Sequence, residues 1–150
     1  MKIALFGTNF SENFNKYIQH LINKLEAENV KIYVEQFFYN YLEDRLRFKN
    51  DVFTFTNHDD LKNKADVLFS IGGDGTLLNA VSYVRDSNIP ILGINTGRLG
   101  FISSVAPDQI DKAVNDVLAN NYNINRRTLL TLSSTNNLFK NIQWAKKGIF

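Results

Sequence analysis

A nearly uninterrupted apolar run at residues 66–71 (DVLFSI) leads directly into a segment with three glycines in four positions. Apolar runs of this kind are typical of a strand that is covered on both faces, as in a parallel sheet between layers of helices. Beyond the glycines, Leu77, Leu78, Val81 and Val84 recur at helical spacing. The sequence therefore predicts a buried strand, a sharp glycine turn and a helix in immediate succession.

The same alternation of strand and helix runs through most of the chain. Further strands are predicted at residues 2–6, 30–35, 51–56 and 89–94, with the third of them at a sheet edge. Helices are predicted from Ser11 to residue 29, at residues 38–48, at residues 77–88 and after Pro107. This alternation favours βαβ units and a mainly parallel sheet with flanking helices, the α/β class of Rossmann-like folds. We expect this domain to span residues 1–125.

Residues 126–150 have a different character. The stretch at residues 126–134 (RRTLLTLSS) alternates apolar and polar side chains like an antiparallel strand. Residues 143–150 (QWAKKGIF) again include apolar positions, and the sequence stops on Ile149 and Phe150. We expect residues 126–150 to form the first strands of a truncated, β-rich second domain.

Composition narrows the classes of function. The 150 residues carry a net charge of only +2, so the strongly basic face that nucleic-acid binding requires is not expected. The absence of cysteine excludes thiolate zinc sites and cysteine nucleophiles, and His20 and His58 (the second placed in a polar loop) are too few for a zinc site. No segment approaches the roughly 18 consecutive apolar residues of a membrane span. We expect a cytoplasmic protein that binds neither membranes nor nucleic acid.

The glycine-rich segment at residues 72–76 (GGDGT) carries the strongest functional signal. Its glycines allow a ligand to approach the backbone N–H groups, and the first turn of the following helix attracts phosphate. Thr76 can either cap that helix or bind a phosphate oxygen through its hydroxyl. Five fixed residues of this kind occur by chance in roughly one chain in ten thousand of this length.

Asp74 is the unexpected member of this segment, since a carboxylate repels phosphate unless a metal ion intervenes or it has a proton to accept. Phosphoryl transfer requires the acceptor hydroxyl to be oriented and deprotonated, and an Asp does this in other kinases. We therefore predict Asp74 as the general base of transfer to an alcohol. The structural alternative is a tight turn in which Asp74 caps the helix.

A second glycine-containing segment follows the next predicted strand, at residues 93–101 (GINTGRLGF). Because successive parallel strands end at the same edge of a sheet, both segments are expected to lie there together. Asn95 and Thr96 can supply side-chain donors to a ligand, and Arg98 can meet phosphate charge. Phe101 can cover an aromatic base or a nicotinamide ring, with a place in the core as its alternative.

Together the two segments resemble the NAD kinases. GGDGTLL at residues 72–78 followed by GINTGRLGF at residues 93–101 looks like the amino-terminal part of that family. The GGDGT segment alone is shared with diacylglycerol and sphingosine kinases, and a GGDGS form occurs in phosphofructokinases. The second segment narrows the resemblance to NAD kinases, and a phosphofructokinase-like α/β fold is implied.

The resemblance implies transfer of the terminal phosphate of ATP, or of polyphosphate, to the 2′-hydroxyl of the adenosine ribose of NAD. NADP would be the product, and a divalent ion such as Mg²⁺ would be required. The resemblance makes Asp74 the proton acceptor, Gly75 a contact of NAD and Phe101 part of the dinucleotide site. The other positions that it places near ligands are Gly72, Gly73, Thr76 and Asn79.

Two alternatives stay open. One is a lipid kinase of the diacylglycerol or sphingosine type, or another GGDGT kinase, and the other is a nucleotide-binding module without catalysis. NAD kinases are nearly twice as long as this chain, and their carboxy-terminal β-domain supplies much of the NAD pocket. We therefore expect an incomplete, inactive amino-terminal part of a homodimeric or homotetrameric enzyme. In that enzyme, Asp74→Asn is expected to lower turnover with little change in NAD affinity.

Overall fold

A five-stranded parallel sheet lies at the centre of the computed structural model, which describes residues 1–8, 12–97, 100–103, 105–128, 131–132 and 148–149. The strands are β1 (Lys2–Gly7), β2 (Lys31–Glu35), β3 (Phe53–Phe55), β4 (Val67–Ile71) and β5 (Ile91–Ile94). Their order is β3-β2-β1-β4-β5, and every neighbouring pair is parallel. The α/β class and the parallel sheet predicted from sequence are confirmed.

Helices cover both faces of this sheet. They are α1 (Asn15–Ala27), α2 (Gln36–Glu43), α3 (His58–Leu61), α4 (Asp74–Val84) and α5 (Ile110–Leu118), with short 3-10 turns at Glu12–Phe14 and Pro107–Gln109. Buried side chains of α1, α2 and α5 share one core with the sheet, and those of α3 and α4 share a second core on the opposite face. Within the described ranges, no helix is long and apolar enough to cross a membrane.

The position of β4 between two layers of helices explains why its sequence is so apolar. All five of its residues are buried. Val67, Phe69 and Ile71 belong to the core that contains α1 and α5, whereas Leu68 belongs to the core that contains α4. A strand between two helix layers has no polar face, so its sequence loses the alternation of a half-exposed strand.

The strand order reverses direction between β1 and β4. α1, which follows β1, and α4, which follows β4, lie on opposite faces of the sheet. In open α/β sheets this arrangement leaves a crevice outside the carboxyl ends of the two strands, where ligands bind. The glycines that follow β4 lie at this crevice.

The predicted helix at residues 38–48 is too long at its carboxyl end and starts two residues too late. α2 covers Gln36–Glu43, and Leu46 and Phe48 pack against the core from the segment beyond it. From Arg47 onwards, backbone N–H groups of this segment bond to side chains of α1, since Arg47 donates to Gln19 Oε1 at 2.8 Å and Lys49 to Glu26 Oε1 at 2.7 Å. These bonds replace the helical ones, which is why α2 ends early.

A short helix, α3, is missing from the sequence predictions, and the placement of His58 in a polar loop is wrong. The Asn57 side chain caps α3, accepting from the N–H groups of Asp59 at 2.8 Å and Asp60 at 3.1 Å. His58 is buried at its start, where Nδ1 lies 2.9 Å from the carbonyl oxygen of Tyr83. A single turn of helix is too short for an apolar repeat to reveal it.

Beyond α5 the described chain is exposed from Ala119 to Thr128. Two further strands, β6 (Thr131–Leu132) and β7 (Gly148–Ile149), pair antiparallel in a separate sheet. They fall within the two stretches predicted as strands, although residues 126–128 are not part of β6. Residues 129–130, 133–147 and 150 lie outside the described residues, and the domain boundary at residue 125 stays a prediction.

Candidate active site

The turn between β4 and α4 depends on Gly72. Its backbone φ is +154°, a conformation that other residues rarely adopt, and its N–H donates to the carbonyl oxygen of Ile94 at 2.9 Å. A Cβ atom on Gly72 would lie 2.2 Å from Thr76 Oγ1. Only glycine fits this position, so the turn brings the start of α4 close against the end of β4.

The helix begins at Asp74, earlier than its apolar spacing predicts. Asp74, Gly75 and Thr76 therefore form the first helical turn instead of a loop. Gly73 is the N-cap residue and no side chain caps the helix. The N–H groups of a first turn have no carbonyl partner within the helix, so this end of α4 is suited to binding an anion.

Thr76 does not cap α4, so that suggested role is wrong. Its buried hydroxyl oxygen lies 2.8 Å from Thr8 Oγ1, in a hydrogen bond that either group can donate. Thr8 directly follows β1. The contact joins the carboxyl end of β1 to the first turn of α4.

Asp74 does not cap α4 either, because its side chain bonds across to the second glycine-containing segment. Oδ2 accepts from the N–H of Phe101 at 2.8 Å, and Oδ1 accepts from those of Ile102 at 3.1 Å and Ser103 at 2.9 Å. These bonds hold the pKa of the Asp74 carboxyl below its ordinary value of 3.8. The bond from Ser103 has the largest effect, followed by those from Phe101 and Ile102. The carboxylate is half-buried and is kept ionised.

The second segment is shaped by backbone and amide contacts around Asn95. Asn95 is buried, its Oδ1 accepts from the N–H of Gly97 at 2.8 Å, and its own N–H donates to the carbonyl oxygen of Val105 at 2.8 Å. Ser103 Oγ lies 3.4 Å from the carbonyl oxygen of Gly72, which adds a second link between the two segments. Asn95 therefore helps to fold the segment, and its predicted role as a ligand donor remains a prediction.

The ring of Phe101 is fully exposed, so the alternative that it belongs to the core is wrong. Its N–H is one of the three that bond Asp74, which places the base of this side chain next to the carboxylate. Gly73, Gly75 and Asn79 are also exposed, whereas Gly72 is buried and Thr96 is half-buried. Arg98 lies outside the described residues.

Sequence reasoning found both segments but missed how they meet. Asp74 and its three amide partners are separated by 27 to 29 residues along the chain. The available signal was their position after the adjacent strands β4 and β5, which predicts proximity at one sheet edge but gives no contacts. The Thr8 contact had no sequence signal beyond the position of Thr8 after β1.

The described residues lack the donor set of a divalent metal site. Among the described side chains, no three His, Asp or Glu residues come together as a possible metal-binding cluster. Asp74 is the one acidic residue of the GGDGT segment, and three N–H groups already bond its oxygens. The described residues therefore do not form a metal site made by the protein alone.

A family model and individual relatives of this chain point to the same protein family. Residues 4–122 match the family model described as the ATP-NAD kinase N-terminal domain. The chain is 37% identical over 146 residues to the NAD kinase of Cytophaga hutchinsonii, which covers 97% of this chain and 50% of that protein. It is 38% identical over 151 residues to the NAD kinase of Flavobacterium johnsoniae, covering 99% of this chain and 51% of the relative.

A similar fold occurs among solved structures. The crystal structure of yeast NADH kinase complexed with NADH superposes with a TM-score of 0.67 at 21% sequence identity, over 79% of this chain and 38% of that one. This likeness concerns the fold alone. The chain spans about half the length of the curated relatives that it matches.

Proposed function

Because the chain belongs to the family of ATP-NAD kinase N-terminal domains, we propose that the complete protein phosphorylates NAD. The terminal phosphate of ATP, or of polyphosphate, is transferred to the 2′-hydroxyl of the adenosine ribose, and NADP is formed. The observation that carries this proposal is the half-exposed, ionised carboxylate of Asp74 in the first turn of α4, at the crevice of the sheet.

The hydrogen bonds of Asp74 indicate which of its oxygens accepts the proton. Oδ1 accepts two N–H groups and Oδ2 accepts one. A carboxylate oxygen has two lone pairs, so Oδ2 has an acceptor position left for the ribose hydroxyl. Oδ2 is therefore the proposed proton acceptor.

The transfer is a direct displacement at the γ-phosphorus. The O–H bond of the 2′-hydroxyl breaks and its proton passes to Asp74 Oδ2, while the 2′-oxygen forms a bond to the γ-phosphorus. The bond between the γ-phosphorus and the bridging oxygen breaks, and ADP leaves with that electron pair. Because Asp74 has a lowered pKa it is a weak base, so it takes the proton late, once the 2′-oxygen is bonding to phosphorus.

The start of α4 offers a place for the transferred phosphate. No side chain caps the helix, and its dipole favours a negative group at this end. Apart from chain neighbours and the backbone of α4 itself, no atom of the described residues lies within 4 Å of the positions that a Cβ atom would take on Gly73 and Gly75, so a phosphate oxygen can come close to the backbone. Thr76 is a weaker candidate for direct contact, since its hydroxyl is buried against Thr8.

Other parts of the proposal concern the rest of the dinucleotide and the phosphate donor. The exposed ring of Phe101 can stack on an aromatic ring of NAD. Gly75 in the first turn of α4 and Asn79 about one turn further along are the other proposed contacts. Mg²⁺ enters the proposed site as part of the MgATP substrate. Cytoplasmic localisation and assembly into a homodimer or homotetramer remain predictions for the complete protein.

The direct test is an assay of the complete protein with NAD, ATP and Mg²⁺, in which NADP is detected by an NADP-specific dehydrogenase. NADP formation is expected, together with no phosphorylation of diacylglycerol, sphingosine or fructose 6-phosphate. Phosphorylation of one of these acceptors without NADP formation would identify another GGDGT kinase. Binding of NAD without transfer to any acceptor would identify a non-catalytic module.

A further inference from the structure

Gly100 lies directly against the carboxyl group of Asp74. A Cβ atom on Gly100 would lie 2.2 Å from Asp74 Oδ1, 2.7 Å from Cγ and 2.9 Å from Oδ2. All three of these distances are shorter than real Cβ atoms show, and all three atoms belong to the carboxyl group. A residue with a side chain at position 100 is incompatible with the observed position of Asp74.

The amides that follow Gly100 surround the same carboxylate. Three successive N–H groups, those of Phe101, Ile102 and Ser103, converge on its two oxygens at 2.8 to 3.1 Å. Successive backbone N–H groups of this kind form a concave anion site, and here Asp74 is the anion. Hydrogen bonds to a charged acceptor are also stronger than neutral ones.

The position of the Phe101 ring depends on these backbone bonds. The ring is fully exposed, so packing against the core does not fix its orientation. Its backbone N–H is held by Asp74 Oδ2 at 2.8 Å, and the next two residues are held by Oδ1. Loss of the carboxylate contact would release this part of the segment from the start of α4.

We infer that Gly100 is a positioning residue. Its lack of a side chain leaves room for the Asp74 carboxylate to bond the N–H groups of residues 101–103, and these bonds fix the position of Asp74 relative to Phe101. The inference rests on the proposed function, because it assigns Phe101 to the dinucleotide side of the site. It also changes one expectation from the sequence. An Asn at position 74 would turn an NH₂ group towards one set of amide N–H groups, so Asp74→Asn should weaken NAD binding as well as turnover.

The test compares Gly100→Ala with Gly97→Ala in the complete protein. Both variants add one methyl group to the same segment, but a Cβ atom on Gly97 meets no atom of the described residues within 4 Å, apart from its chain neighbours. Gly100→Ala is expected to raise KM for NAD by about tenfold or more while KM for ATP stays within about twofold. Gly97→Ala is expected to leave both within about twofold of the parent protein. Equal values for the two variants would overturn the inference.

A double-mutant cycle separates this effect from misfolding. Asp74→Ala removes the three atoms that a Cβ atom on Gly100 would meet. In that background, Gly100→Ala should change the Kd for NAD, measured calorimetrically without ATP, by less than about twofold. An equal loss of affinity in both backgrounds would show that Gly100 acts independently of Asp74 and would contradict the inference.

The two proposals fail in different ways. Absence of NADP formation by the parent protein would overturn the proposed function. NADP formation with no coupling between positions 74 and 100 would overturn the positioning role alone. Hydrogen exchange of the amides of residues 101–103 gives a readout without substrate, and it should accelerate in Gly100→Ala but not in Gly97→Ala.

Discussion

In the proposed mechanism, the carboxylate of Asp74 has two tasks. Oδ1 is committed to two backbone N–H groups, while Oδ2 accepts one and has room for a hydroxyl. The same bonds that hold the second segment in place also lower the pKa of the carboxyl. In the proposed mechanism, structural support and proton transfer are therefore coupled at this residue, and a change in either should be visible in the other.

The lowered pKa predicts how activity depends on pH. A carboxyl group whose pKa is lowered stays ionised, and able to accept a proton, at every pH above that lowered value. Asp74 should therefore contribute no acid limb to the kcat profile between neutral pH and the ordinary carboxyl value of 3.8. Carboxyl ¹³C NMR of Asp74 in the complete protein checks this directly. A titration midpoint above about pH 5 would contradict the observed hydrogen bonding.

Asp74 shows which parts of a site a single sequence can and cannot predict. The GGDGT pattern and the charge of the residue predict a general base, and that role stays a prediction. The three amide contacts were not predictable, because they depend on how a segment 27 to 29 residues away folds back over the helix. The need for glycine at position 100 follows only from that contact.

At the scale of elements, Tyr83 joins α4 to the end of β2. Its hydroxyl donates to Glu35 Oε1 at 3.4 Å, and Glu35 Oε2 in turn accepts from the N–H of Phe38 at the start of α2. Burial, followed by the nearby charge of Glu35, raises the pKa of Tyr83 from 10.0 to about 12. The folded protein therefore favours the neutral phenol more strongly than the unfolded chain does.

This difference predicts how stability changes at alkaline pH. The contribution of Tyr83 is complete below pH 10, where the unfolded phenol is neutral, and is lost as pH rises from 10 to about 12. Tyr83→Phe removes this contribution, so its urea midpoint should fall less between about pH 9 and pH 11 than that of the parent protein. Tyr122→Phe, at an exposed tyrosine, is the matched control and should follow the parent protein. Identical pH dependence in all three proteins would contradict the assignment.

The strands and main helices were predictable because their buried positions are apolar and recur at the spacing of the secondary structure. β4 is buried on both faces and reads as a continuous apolar run, and α1 buries residues at three- and four-residue intervals. The early end of α2 and the existence of α3 were not predictable. Both depend on side chains that bond to backbone N–H groups, those of Gln19 and Glu26 from a neighbouring helix and that of Asn57 locally.

At the scale of the whole molecule, stability depends on two apolar cores, one on each face of the sheet. Phe69 is fully buried in the central strand, and Phe37 is 80% exposed on α2. Phe69→Ala is expected to lower the free energy of unfolding by about 3–5 kcal/mol, because it leaves a cavity in a packed core. Phe37→Ala, the same change at the surface, should alter it by less than about 0.5 kcal/mol. Urea denaturation of the complete protein distinguishes these values, and similar losses for both variants would contradict the described packing.

The chain supplies the phosphate-facing side of the proposed site, while its relatives are about twice as long. The start of α4 follows the carboxyl end of β4 and is linked to the carboxyl end of β1 by the contact between Thr8 and Thr76, which places it at the crevice. Binding of the rest of the dinucleotide is proposed to require the remaining half of the complete protein. Activity should therefore be measured with the complete protein.

The central claim is that the Asp74 carboxylate accepts the ribose proton during phosphoryl transfer. It is tested most directly by kcat of the complete protein and its Asp74→Asn variant, measured at saturating NAD and MgATP so that changes in affinity do not contribute. The account predicts a kcat lower by about 10²–10⁴-fold in the variant. A kcat within about twofold of the parent value would contradict it.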